Sequence, residues 1–397
     1  MAHRTALCVV LATTWLGCTE PDGAGPAAST SAAPRAATPA ASTSTSAAPR
    51  ARAPHPAPTL AEAVRYFREF SEEERYFFSD NHVSNETSTL HVARTLDARA
   101  RRGGAYLGVG PEQNYSYIAL LEPQLAFIVD VRRANALQHW LFKALFETSA
   151  DRAELLCRLL GRGAPPQPGD AGATLKELLT RVDGCTKSEA TFDAVHGELV
   201  ERVRGFGVTL DAKDIKSLRA AQRAFFDGGL DTRFSLHEEN GRTYPPLRTL
   251  LALEDDQGVQ RGFLATDEAF RTIKRLHAEH RIIPIVGDFA GGHALRRIGA
   301  LLRARDLPVS AFYVSNVEQY LLEPTKWRAW TTNVDSLPTN EQSVFIRCYL
   351  DQGKKHPRQK AGHRTTTVVS TVDDFRWRQR KSSAKSFMEL VTQGLLD

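Results

Sequence analysis

The chain has 397 residues, of which 42% are apolar and 24% charged, with a net charge of +5. That length supports one large domain or two ordinary ones, and the balance is that of a soluble globular protein rather than a membrane bundle. So mild a charge gives no reason to expect nucleic acid as a partner.

At the N-terminus, Arg4 precedes the apolar run 5-TALCVVLATTWLG-17, and Cys18 follows. A basic start, a short apolar run and small residues before a break read as a secretory signal, too short to remain as a spanning helix. Leu16-Gly17-Cys18 resembles the bacterial lipobox, with Trp15 where an aliphatic residue is usual. The resemblance implies cleavage before Cys18 and lipidation there, which would anchor an exported protein to a membrane of the cell envelope. A secreted chain without lipid is the second reading. A mis-assigned start, which would leave the protein cytoplasmic, is the third. Residues 19–58 are almost entirely Ala, Pro, Ser, Thr and Gly. They bury too little apolar surface to offset ordering and read as a tether.

The expected domain therefore covers 59–397. Thr59 is a candidate N-cap for a helix over 60–80, followed by one over 86–101 and the glycine pair Gly103-Gly104. A strand at 105–109, a helix at 112–122, a strand at 125–131 and a helix at 134–149 come next. Residues 150–276 read as a helical insertion, with helices at 151–162, 174–182 and 191–206 and a last one at 266–280. Alternation resumes with strands at 282–289, 309–316, 343–350 and 365–375, and helices at 293–306 and 317–330. Near-continuous apolar strands alternating with helices predict an α/β fold, a doubly wound, mostly parallel sheet, with the last strand antiparallel at an edge. Cys157 and Cys185 could pair in an exported protein. Three buried free thiols, with Cys348, is the preferred reading, and no cysteine spacing suits zinc.

Four strand ends carry the chemistry. The loop 108-GVGPEQN-114 joins a strand to a helix, so Gly108 and Gly110 would let backbone approach a ligand at a helix N-terminus. Glu112, Gln113 and Asn114 belong to the same loop. Asp130 ends the next strand about 20 residues on, where an acid commonly binds ribose hydroxyls. The alternative is that it caps the next helix or pairs with Arg132 or Arg133; Arg132 is itself a candidate ligand contact. Asp288 and Phe289 stand at the tip of a third strand in 285-IVGDFAGG-292, and Asn316 and Glu318 follow a fourth.

This arrangement resembles the class I S-adenosylmethionine-dependent methyltransferases over roughly 104–147 and 280–375. The resemblance implies a Rossmann-like fold and S-adenosylmethionine as cofactor. Gly108 and Gly110 would hold the methionine moiety, Asp130 the ribose and Asp288 the adenine amine, with Phe289 as an apolar neighbour. Asn316 and Glu318 would face the methyl acceptor, Glu318 as base with Glu112 and His293 behind it; a satisfied surface carboxylate is the alternative for Glu318. Tyr106 and Glu112 stand where the family has an acid and a small residue, and the DPPY-type motif is absent. GVGPEQNYSYIA with AFIVDVRR also resembles a group of bacterial lipoproteins and plant proteins with a methyltransferase-like core. The competing expectation is a membrane-tethered binding protein that holds a nucleotide-like ligand or a protein partner without catalysis.

His237, Glu238 and Glu239 read as a solvated loop rather than a metal site. Tyr115, Tyr117, Trp140 and Phe142 read as core. The basic stretches 353–364 and 376–385 read as a solvated surface, with anionic lipid or nucleic acid as the alternative.

Overall fold

The computed structural model describes residues 55–100, 102–238 and 240–397. The expected signal segment, Cys18, the tether up to residue 54 and Glu239 lie outside these residues.

Thr59 opens helix α1 (Leu60–Phe70) with a reciprocal capping box. Its hydroxyl accepts from the Glu62 N–H, and the Glu62 carboxylate accepts from the Thr59 N–H. A 3-10 turn (Thr89–Val92) leads into α2 (Ala93–Arg99). Then come β1 (Ala105–Gly108), α3 (Gln113–Leu121), β2 (Leu125–Asp130) and α4 (Arg133–Thr148). The helical segment follows: α5 (Arg152–Leu159), α6 (Leu175–Asp183), α7 (Glu189–Gly205), α8 (Ala212–Gly228), α9 (Leu247–Leu251) and α10 (Asp267–Ala278). Alternation resumes with β3 (Ile282–Val286), α11 (Ala294–Ala304), β4 (Val309–Ser315), α12 (Pro324–Asp335), β5 (Val344–Leu350), β6 (Thr365–Thr371), α13 (Val372–Lys381) and α14 (Phe387–Thr392).

The six strands form one sheet in the order β3-β2-β1-β4-β5-β6. All neighbouring pairs are parallel except β5 with β6. The fold is thus α/β with a mixed, mostly parallel sheet, and the antiparallel edge strand is where the sequence placed it. Strand side chains alternate between two apolar layers. Tyr106, Ile128, Tyr313 and Ile346 join one, with Ile118 and Trp140 from the helices above. Leu107, Phe127, Phe312 and Phe345 join the other, with Ile298 and Trp330 below. Tyr115, Tyr117, Trp140 and Phe142 are all buried in the first layer, as read from the sequence.

Four local expectations are corrected. The first helix ends at Phe70, not residue 80, because the backbone beyond is taken up by strand tips: the Glu72 N–H donates to Val286 O and the Arg75 N–H to Val131 O, both at 2.8 Å. The 317–330 helix is a 3-10 turn (Val317–Tyr320) and then α12, which starts on Pro324. There the ring suits the first turn, and Glu323 caps the next two N–H groups. The last strand stops at Thr371, whose hydroxyl caps α13, so the basic stretch at 376 begins on a helix, with Arg378 paired to Asp374. Finally, Cys157 and Cys185 form a disulfide, with Cα atoms 6.1 Å apart, and only Cys348 of the three is a buried free thiol. The bridge ties α5 to the turn after α6, where both cysteines face the same core; local sequence gives no measure of that distance.

Candidate functional site

The strand order reverses at β1, whose neighbours are β2 and β4. Parallel strands leave such a crevice open at their C-terminal ends, since the crossover connections depart in opposite directions there. A cavity of about 480 Å³ occupies this edge. Residues at or just beyond the ends of all five parallel strands line it: Gly110, Asp130, Asp288, Asn316 and Leu350 mark one tip each.

Gly110 has φ +78°, a left-handed conformation natural only to glycine. Its carbonyl accepts from Asn114 Nδ2 (3.2 Å) and from His139 Nε2 (2.9 Å). A carbonyl only accepts, so Nε2 carries the His139 proton, and Nδ1 accepts from the Tyr115 hydroxyl at 2.7 Å. Burial holds His139 down at about 4, so the ring is neutral at pH 7.

Gly108 and Asn114 are not cavity residues, which corrects the expectation that they touch ligand. Asn114 is a fully buried brace. Its amide donates to Val109 O, Gly110 O and Pro111 O, and its carbonyl accepts from the Tyr106 hydroxyl at 2.8 Å. A Cβ on Gly108 would stand 1.9 Å from Asn114 Oδ1, so this glycine makes room for the brace. Glu112 is also withdrawn. It lines a separate hollow of about 20 Å³, and its Oε1 accepts from the Ser84 N–H at 3.1 Å. Burial pushes its carboxyl up to about 7. Gln113 and Glu86 border both the cavity and the hollow.

Asp130 lines the cavity, and the pairing weighed for it is present. Arg132 binds both its oxygens, through Nε at 3.0 Å and Nη2 at 2.9 Å, and its backbone N–H adds 2.9 Å. Arg132 Nη1 also donates to the carbonyls of Ser79 and Asp80. Arg133 pairs instead with Asp214. A carboxylate offers about four acceptor positions, so Asp130 keeps limited capacity for a ligand. At the next tip, Asp288 Oδ2 accepts from Arg75 (2.8 Å) and Oδ1 from the Ala290 N–H (2.8 Å). Phe289 borders the cavity, although its ring is mostly core, stacked on Trp330 at 5.4 Å.

Glu318 is neither a base nor a surface carboxylate. It is fully buried away from the cavity, held by Arg347 through two bonds and by Trp330 Nε1 at 3.1 Å. With both oxygens engaged and no path to a ligand, it cannot accept a substrate proton. His293 is corrected likewise: its Nε2 bonds Glu69 O at 2.7 Å, and it does not line the cavity.

Two segments complete the walls, one expected as helix and the other as a solvated loop, neither expected at the site. The 71–88 loop brings Arg75, Tyr76, Phe77, Phe78, Asn81 and Glu86; the 234–244 loop brings Phe234, Arg242 and Tyr244. Phe77 and Phe78 pack 4.2 Å apart, with Tyr320 about 6 Å from both. His237 ties the loops together through the Tyr76 hydroxyl (3.3 Å) and Asp80 (3.2 Å). The available signal was 76-YFF-78, three aromatics in a row. They exceed what one helix face can bury, yet helical periodicity absorbed them.

The model of a domain of unknown function, DUF7790, matches residues 82–162 and 221–394, leaving 1–81, 163–220 and 395–397 outside the match. No curated protein matches the chain. The matched segments hold both halves of the strand edge, from Glu86 to Asp130 and from Asp288 to Leu350.

Proposed function

The chain belongs to the DUF7790 family, and we propose, from the geometry of its cavity, that this cavity binds an adenosyl-type ligand. S-adenosylmethionine is the compound to test, held in a Rossmann-like, methyltransferase-type site. The observation that carries this reading is the 480 Å³ cavity at the sheet's switch point, lined by five strand tips. Its volume suits a nucleoside-sized ligand. Gly110 offers close backbone approach, Asp130 and Asp288 stand on neighbouring tips, and aromatic rings flank them. Methyl transfer to an acceptor is the proposed activity. The sulfonium is already activated, so the protein's part is to hold an acceptor in line and receive a proton. Asn316 is the sequence-derived candidate that borders the cavity, and Glu86 takes the place expected for Glu318.

The second reading is a binding protein without turnover, and the disulfide favours it. Cys157–Cys185 is of the kind that persists outside the cytoplasm, which supports export. S-adenosylmethionine is made in the cytoplasm. A tethered protein of the envelope would then hold a nucleotide-like ligand, or a protein partner, in an inherited site.

Calorimetric titration of the purified chain with S-adenosylmethionine, its demethylated product and adenosine tests both readings. Binding tighter than about 1 mM that weakens in Asp288→Asn is the expected result. Asp288 sits at the rim, so the variant leaves the core intact. No binding by any of the three would remove the adenosyl reading. Binding of adenosine or product with no preference for the methylated compound would favour the non-catalytic one.

A further inference from the structure

The cavity wall between the tips of β1 and β4 carries acceptors that find no donor. Glu86 is 3% exposed and Glu112 4%. Glu86 Oε1 accepts from the Ser315 hydroxyl, and its Oε2 has no hydrogen-bond partner within normal geometry among the described residues; burial raises this carboxyl, and the nearby Ser315 and Tyr313 hydroxyls and Cys348 thiol offset that only in part. The same holds for Glu112 Oε2 and for Gln113 Oε1, whose amide nitrogen is spent on the Tyr313 hydroxyl. Elsewhere in the lining, acids are matched: Asp130 by Arg132, Asp288 by Arg75. Neither Glu86 nor Glu112 has an ion-pair partner among the described residues.

An orphaned buried acceptor costs about 1–3 kcal/mol; two of these, on Glu86 and Gln113, belong to the cavity wall, and Glu112 lies in the hollow behind it. The backbone there is arranged around them. Ser315 has φ +50°, strained for a residue with a side chain, and the pairing of β4 with β5 shifts register between Tyr313 and Ser315. That bulge puts the Ser315 hydroxyl on Glu86.

We propose that Glu86, together with Gln113 and with Glu112 behind them, forms a subsite for the cationic nitrogen of a ligand, a primary ammonium group on an aromatic body. An ammonium brings three donors and no acceptor, the complement of this wall. The aromatic body is called for by Phe77, Phe78, Phe234 and Tyr320, which line the same cavity. The proposal rests on the large cavity being a ligand site. Within the methyl-transfer reading it makes the acceptor a nitrogen nucleophile, whose released proton passes to the Glu86 carboxylate.

The test is calorimetric titration of the full chain at pH 8 with benzylammonium and with benzyl alcohol, its uncharged counterpart. Wild type binds the amine at least about tenfold tighter than the alcohol, and Glu86→Gln brings the two within about twofold. Glu86→Gln keeps the acceptor for Ser315. The wild-type comparison needs no variant and stands even if that protein folds poorly. Equal affinities in the wild type, or no amine binding, overturn the subsite. Adenosine, which has no aliphatic ammonium, is titrated in parallel. If adenosine binds and the amine shows no preference, the subsite fails alone. If the amine binds through Glu86 and adenosine does not, the subsite stands and the adenosyl reading fails.

Discussion

Arg347 on β5 and Glu318 after β4 form a bidentate ion pair with side chains 2% and 0% exposed, Nη2 lying 3.1 Å from Oε1. Trp330 Nε1 and the Ser370 hydroxyl complete the network, and the guanidinium lies 4.6 Å over the Phe345 ring. Breaking a buried pair from one side leaves an uncompensated charge. Arg347→Met should therefore cost about 3–5 kcal/mol in urea unfolding. Glu318→Gln keeps the Trp330 bond and should still lose stability while leaving cavity binding unchanged in the folded fraction. Ligand affinity falling in Glu318→Gln in step with stability would instead restore Glu318 to the site.

The pH dependence of stability should carry two opposed contributions. Burial raises the Glu112 carboxyl from 4.5 to about 7. Between those values the folded chain keeps a proton that the unfolded chain releases, so this contribution to stability falls as pH rises and is flat above about 7. His139 is depressed from 6.5 to about 4 by burial, so its contribution falls as pH drops through that range. Glu112→Gln removes the first slope alone. The stability of wild type relative to Glu112→Gln should fall by on the order of 3 kcal/mol from pH 4.5 to 7.5. Parallel curves in urea titrations across this range would refute the assignment.

Arg132 links β2 to the 71–88 loop, since one guanidinium serves Asp130 and the carbonyls of Ser79 and Asp80. Arg132→Met should leave Asp130 buried without its partner and release that loop. The expected outcome is a loss of about 3 kcal/mol or more, and faster proteolysis and amide exchange confined to 71–88. A uniform rise in exchange would mean that the arginine serves the whole domain rather than this wall.

The Cys157–Cys185 bridge closes a 28-residue separation. Cross-linking a loop of that size stabilises by about 3–4 kcal/mol through the unfolded state. Cys157→Ala/Cys185→Ala should lower the thermal midpoint by several degrees and leave adenosine affinity within about twofold. A larger loss of binding than of stability would show that the bridge positions the cavity.

Much of the strand edge was legible because its signals are local. Apolar runs of four to seven residues, each followed by a glycine, an acid or an asparagine, put Gly110, Asp130, Asp288 and Asn316 on one edge once the strands were taken as parallel. Six of the nine expected ligand contacts do line the cavity with Asn316: Gly110, Gln113, Asp130, Arg132, Asp288 and, by its edge, Phe289. The withdrawn members, Gly108, Glu112 and Asn114, were misjudged for one reason. Neighbours in a turn point in different directions, and which side chain braces the loop depends on Tyr106, His139 and Ser84 from elsewhere in the chain.

By itself the sequence determined the alternation of strands and helices, the antiparallel last strand, the Thr59 start of the first helix and the aligned acids at the strand ends. Each follows from the spacing of apolar residues or the chemistry of one turn, within reach of a few neighbours. The tertiary structure alone decided that Glu318 would be sealed by Arg347, that Cys157 would meet Cys185, and that the 71–88 loop would leave its helix to wall the cavity. Those outcomes depend on partners far along the chain, as with Ser315 and Glu86, 229 residues apart. Only folding brings such groups close enough for a hydrogen bond or a charge to choose between environments.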